Sequence, residues 1–245
     1  MKRNWLFFSI ILSALCLAGW EEKMVKQDRF DTAAGPLAIT FIGHGSLMLE
    51  FGKMVIHIDP FSRVGDYTAL PRADLILITH EHGDHLDTKA LTAIKKKETV
   101  MIYTAKCAAQ VSGGQVLANG EKQTVLGIEI EALPAYNIEH KRPDGQPFHP
   151  RGDGNGYVLT IGGKRIYIAG DTENIPEMKA LKGIDIAFLP MNLPYTMTPE
   201  QVAEAARAFR PRILYPYHYG DTDPQLLAEL LKAEKDIEVR IRPLS

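Results

Sequence analysis

Cysteine is nearly absent from this 245-residue chain: only Cys16 and Cys107 occur. If Cys16 leaves with an N-terminal leader, one thiol remains and no intrachain disulfide can form. Stability must then come from packing without a covalent cross-link. Cys107 reads as a small buried apolar side chain. A charge field is missing too. Lys and Arg number 28 against 30 Asp and Glu, a formal net charge of −2, so no overall basic field recruits nucleic acid as a partner. No short tandem repeat is present, and no Ser-His-Asp arrangement or glycine-rich phosphate loop offers a competing chemistry. Gly43 and Gly45 stand close together but lack the dinucleotide spacing.

What the chain does have is apolar substance, 45% of its residues, enough for one domain with a sizeable core. Its first residues form a separate object. Met1-Lys2-Arg3-Asn4 is basic, residues 5–18 are apolar, and Glu21-Glu22-Lys23 turns abruptly polar. This pattern predicts a secretory signal peptide over residues 1–19 and a periplasmic or secreted mature protein. The apolar run is short for a membrane span, so no stable span is expected after cleavage; an uncleaved anchor is the alternative. Cys16 follows Leu15, where a lipobox wants a small residue.

Residues 20–36 read as a polar lead-in, and residues 37–245 as a single domain. The hydrophobic pattern predicts strands over residues 37–42, 46–51 and 54–59, joined at Gly43-His44-Gly45 and Gly52-Lys53. A buried strand over 75–79 precedes a helix that Asp87 caps and that runs to about Lys97. Strands follow over 100–103, 115–117 and 124–133, then a long loop over 134–155 and a hairpin over 156–169 across Gly162-Gly163. The remainder alternates helix and strand. Thr198-Pro199-Glu200-Gln201 is a capping box with proline at the first helical position. The last helix, from Asp223-Pro224, is expected to bury Leu226, Leu227, Leu230 and Leu231. The pattern alone says mixed α and β, and its two halves read as similar β-rich units with helices outside.

Chemistry concentrates in Thr79-His80-Glu81-His82-Gly83-Asp84-His85-Leu86-Asp87. Three of eight histidines fall here within six residues, on a strand-to-helix turn. Alternation sends His80 and His82 to one side, and the turn can fold Asp84 and His85 back toward them. Imidazole nitrogen and carboxylate oxygen converging at short range bind a divalent transition metal.

This His-x-His-x-Asp-His spacing resembles the metallo-β-lactamase-fold superfamily of metallohydrolases. Asp59 in Ile58-Asp59-Pro60, Asp171 in Gly170-Asp171-Thr172 and His218 in Tyr217-His218-Tyr219 match further motifs of that family in order. The resemblance is nearest to its small lactonase-like and N-acylphosphatidylethanolamine phospholipase D-like branch. It implies an α+β four-layer αββα sandwich. By resemblance, His80 and His82 serve one metal, Asp84, His85 and His218 a second, and Asp171 bridges the two. Asp59 is expected to hydrogen-bond a ligand. Asp84 and His44 are the candidates for direct catalytic roles, His44 by contact with substrate or with a ligand's outer shell. The chain departs from the family at one motif: Asn137 stands where a ligand histidine is usual, leaving His149, His140, Asn137 or an open position to complete the first site. His149 is the preferred ligand. His57 is read as structural; Tyr195, Tyr217 and Tyr219 either line the cleft or pack.

One or two divalent ions are implied, zinc foremost, with manganese or iron as alternatives. The implied activity is hydrolysis of an ester, lactone, amide or phosphodiester bond in a small-molecule substrate. A nuclease would carry a large extra domain for which this chain has no room. The alternatives are a di-iron redox protein and a metal-stabilised binding protein without turnover.

Overall fold

A computed structural model describes residues 26–245; the expected signal peptide lies outside the described residues. Two seven-stranded sheets form the body of the fold. The first runs in chain order: β1 (Lys26–Thr32), β2 (Gly35–Gly43), β3 (Ser46–Phe51), β4 (Met54–Ile58), β5 (Leu75–Leu77), β6 (Val100–Tyr103) and β7 (Gln115–Val116). β1 to β4 pair antiparallel and β4 to β7 pair parallel. The second comprises β8 (Lys122–Val125), β9 (Ile128–Ala135), β10 (Gly154–Ile161), β11 (Lys164–Ile168), β12 (Ile186–Pro190), β13 (Ile213–Tyr217) and β14 (Glu238–Val239). It repeats the scheme, four antiparallel strands followed by three parallel ones. The halves are topologically equivalent, strand for strand.

Alternation decides the layering. In β5, Leu75 and Leu77 face inward, where they join Ile39, Phe41, Ile56, Leu159, Ile166 and Phe188 between the sheets. Ile76 and Ile78 face outward against Ala90, Leu91 and Ile94 of α1 (Thr88–Ile94) and Cys107 of α2 (Ala105–Ala108). The second sheet buries its outer face under α3 (Pro176–Lys179), α4 (Pro199–Phe209) and α5 (Gln225–Leu231). Helix, sheet, sheet, helix: the αββα sandwich is the observed architecture. α4 is set by its sequence, with Thr198 and Gln201 closing the capping box and Val202, Ala205, Ala206 and Phe209 buried on one face.

Several boundaries move. The polar lead-in contains β1, whose residues pair with β2 as an edge strand. The strand expected over 124–133 is two strands, because Leu126 and Gly127 both take positive φ and reverse the chain. Leu226 is exposed, while Leu227 and Leu231 are buried, so α5 presents a narrower apolar face than its leucines imply.

Candidate metal centre

The segments of interest emerge at one edge of the sandwich. The β2–β3 turn brings His44, the end of β4 brings Asp59, and the turn after β5 brings His80 to His85. From the second sheet, the β9–β10 loop brings His149, the end of β11 brings Asp171, and the end of β13 brings His218. Cross-links hold the halves in register here: His218 N–H donates to His44 O at 3.2 Å, Asn155 N–H to Thr79 O at 2.8 Å, and the Tyr157 hydroxyl to Ile78 O at 2.8 Å. Strain collects at the same edge. Of five non-glycine residues with positive φ among the described residues, His44, Asp59 and His218 belong to this cluster. Such conformations cost of order 1 kcal/mol or more and persist where the surroundings over-determine them. Gly45 permits the close approach, since a Cβ there would stand 3.0 Å from His85 Cε1.

Tautomers follow from the partners. Asp59 is buried, and its carboxylate accepts from Thr79 N–H (2.7 Å), the Thr79 hydroxyl (2.6 Å) and His85 Nδ1–H (2.8 Å). With its hydrogen given to Asp59, the Thr79 oxygen accepts from His80 Nδ1–H at 3.0 Å. Both imidazoles thereby turn Nε2 to the cluster. His149 donates Nδ1–H to Asn137 Oδ1 at 2.8 Å and turns its Nε2 inward as well.

Two groups of donor atoms result, linked by a third made of His80, His85 and Asp171. His80, His82 and His149 form one; His44, Asp84, His85 and His218 form another. Asp171 lies between them, Oδ2 at 3.3 Å from His149 Nε2 and 3.5 Å from His218 Nε2, Oδ1 at 3.5 Å from His85 Nε2. His140 stays outside, its Nδ1 at 3.0 Å from Glu173. His57 is buried on β4 with Nε2–H on Pro71 O, and burial lowers its pKa to about 4 against the smaller opposing effect of that bond. Tyr217 is a packing residue whose oxygen accepts from Gly170 N–H. Tyr195 lines a cleft of about 310 Å³ above the cluster, with His82, Asp84, Arg142, Phe148, Asn192 and His218. Arg142 and Phe148 are cleft residues that the sequence pattern did not single out.

The electrostatics suit a cation. Burial alone would lower the pKa of His85, but the Asp171, Asp59 and Asp84 carboxylates raise it to about 9. Burial and then the neighbouring His85 hold His80 well below the usual range, so it is neutral. Burial would raise Asp171, yet His218 and His85 keep it ionised. Asp84 is likewise ionised: burial opposes this, and the nearby His218 imidazole, 3.7 Å from Oδ2, and the His44 hydrogen bond outweigh it. Most telling, His85 Nε2, His218 Nε2 and Asp171 Oδ1 are buried with no hydrogen-bond partner. Buried polar atoms are normally satisfied. Unpartnered imidazole and carboxylate atoms aimed at one another fit a shared metal ion, and the mixed nitrogen and oxygen set suits zinc, manganese or iron.

Two facing sheets with histidines and carboxylates at one edge define a metallo-β-lactamase-fold protein. The sequence profile of the Beta-lactamase superfamily domain matches residues 38–241. Within that superfamily, the chain belongs to the UPF0173 metal-dependent hydrolases. A member from Pelotomaculum thermopropionicum is 30% identical over 221 residues, 84% of this chain and 96% of that protein. A crystal structure from Parabacteroides distasonis, assigned to the metal-dependent hydrolases, is 54% identical, covers 90% of this chain and all of that one, and superposes with a TM-score of 0.86. CmlA, a diiron β-hydroxylase from Streptomyces venezuelae, shares the fold at 17% identity and a TM-score of 0.64, over 84% of this chain and 52% of its own.

Proposed function

We propose that the chain is a zinc-dependent hydrolase acting on an ester, lactone, amide or phosphodiester bond of a small molecule. His80, His82 and His149 would hold one ion, Asp84, His85 and His218 a second, with Asp171 reaching both. The observation that carries this reading is the set of buried, unpartnered atoms on His85, His218 and Asp171 beside a second three-histidine group. A divalent cation so held would polarise a carbonyl or phosphoryl oxygen and would bring the pKa of a water molecule down to about 7.

The chain's own residues supply the rest. Asp84 is the more open carboxylate of the site, and its Oδ2 accepts from His44 Nε2 at 3.0 Å. Its carboxylate can accept a hydrogen bond from water entering the cleft and orient it, while His44 fixes the carboxylate. Arg142 and the edge-to-face pair of Phe148 and Tyr195, 5.0 Å between ring centres, form the wall that orients substrate. The basic, then apolar, then polar N-terminus supports a periplasmic or secreted location.

The test is a panel of lactone, ester and phosphodiester substrates with the purified protein, chelated and then reloaded with zinc, manganese or iron. Turnover that chelation abolishes and zinc restores is expected. Silence across the panel with metal bound would favour a binding protein, and bound iron with a redox change would favour the di-iron alternative.

A further inference from the structure

We infer that Asn137 and Glu173 are positioning residues that deliver His149 to the metal, an inference that rests on the metal-site reading above. His149 comes from the connection between β9 and β10, residues 136–153, which carries no strand or helix of its own. A side chain on such a loop reaches a metal with sub-ångström tolerance only if something fixes the loop. Asn137 does this at both ends of its amide. Its Oδ1 accepts His149 N–H at 2.7 Å and His149 Nδ1–H at 2.8 Å, and its own N–H donates to His149 O at 2.9 Å. Its Nδ2 donates to Glu173 Oε1 at 3.0 Å and Tyr195 O at 2.9 Å.

Two acceptor bonds and two donor bonds exhaust the amide. They also fix which way it faces, because Glu173 and the Tyr195 carbonyl can only accept. Oδ1 must therefore meet His149, the His149 proton must sit on Nδ1, and Nε2 must point at His80 and His82. A histidine in place of Asn137 could not make this double bridge.

Glu173 anchors the relay. It is fully buried, and its carboxylate accepts from Ile138 N–H (3.0 Å), Glu139 N–H (2.8 Å) and His140 N–H (2.7 Å) besides Asn137. Four donors around one carboxylate shape the start of the loop. Glu173 also lies two residues after Asp171, so one short turn sets both the central carboxylate and the loop that brings His149. The same Asn137 amide pins Tyr195, joining the metal site to the cleft wall.

The experiment is cobalt titration of the metal-free protein, followed by visible absorbance, for wild type, His149→Ala, Asn137→Ala and the double variant. His149→Ala identifies the signal of the His80–His82–His149 group. Asn137→Ala is expected to weaken that step about 10–100-fold, as loss of a ligand's hydrogen-bond partner does. The double variant should be no weaker than His149→Ala alone. Affinity in Asn137→Ala equal to wild type, or a His149→Ala variant that binds like wild type, overturns the inference. A wild type that takes up no cobalt overturns the metal reading itself, whatever the variants do. Circular dichroism of the metal-free proteins monitors folding. If Asn137→Ala does not fold, Glu173→Gln carries the test, since an amide at 173 cannot accept from all four donors and the loop loses part of its anchor. A folded Glu173→Gln with weakened cobalt uptake at the His149 step supports the relay; a folded Glu173→Gln with wild-type cobalt affinity overturns it.

Discussion

At the scale of single residues, Asp59 shows how a buried carboxylate can orient the donors of a candidate metal site from behind. It holds His85 and Thr79, and through Thr79 it holds His80. Asp59→Ala would strand His85 Nδ1–H and Thr79 N–H in a dry interior and remove a counter-charge from a histidine whose pKa stands near 9. Breaking a buried pair in this way costs about 3–5 kcal/mol. Urea denaturation of the metal-free protein is the measurement, and a loss below about 1 kcal/mol would contradict the account. Of the candidate site, the residues near strand ends were readable from sequence. His80, His82, Asp84 and His85 lie within one turn, and their spacing encodes convergence. Asp171 and His218 needed the family resemblance, since they come from remote strands. His149 stood among several candidates, and the role of Asn137 was illegible. It depends on Glu173 and Tyr195, 36 and 58 residues away, and nothing local to Asn137 announces them.

Elements tell a second story, in which polar pattern misled where apolar pattern did not. β1 was hidden in residues read as a lead-in because Gln27, Asp28 and Arg29 make it polar. Its backbone partner is the neighbouring β2, but the side-chain partners of its Asp28 lie at the other end of the chain. Asp28 accepts from Arg242 Nη2 at 2.7 Å and from the Tyr215 hydroxyl, with Arg240 Nη1 at 3.4 Å. Periodicity cannot encode a pairing across more than 200 residues. Similarly, β8 and β9 merged in the pattern because Leu126 supplies an apolar residue at the very turn that separates them. The Asp28 cluster has a pH signature. Burial would raise the Asp28 pKa, but the Tyr215 hydrogen bond and the Arg242 guanidinium lower it below the ordinary 3.8. A lowered folded pKa means that the unfolded chain binds the proton first on acidification. The cluster's contribution is therefore complete above the unfolded value and drains away as pH falls through the folded one. Asp28→Asn should cost about 1.5–3 kcal/mol at pH 7, the range for hydrogen bonds to a charged group, and much less at pH 2–3. Equal losses at both pH values in denaturant titrations would rule out an electrostatic origin.

For the molecule as a whole, the decisive fact is that equivalent strands of two like halves send their loops to one edge. The β2–β3 turn carries His44 and its counterpart, the β9–β10 loop, carries His149; the end of β4 carries Asp59 and its counterpart, the end of β11, carries Asp171. Neither sheet alone assembles a complete set of donors. An ion bound here joins the halves of the sandwich as well as serving chemistry, and it binds the folded chain far better than the unfolded one. With free metal about 1,000-fold above its dissociation constant, the gain is about 4 kcal/mol. For a domain of this size that corresponds to a melting point higher by roughly 8–16 °C. Calorimetry of chelated and zinc-loaded protein should therefore separate the two by that margin. His80→Ala, on the first sheet, and His218→Ala, on the second, should each erase part of the difference, because each removes a donor from one of two groups that both draw on the two sheets. If instead zinc raises the melting point of His218→Ala as much as that of the wild type, the ion is held by the first sheet's turn alone, and its role as a tie between the two halves is wrong.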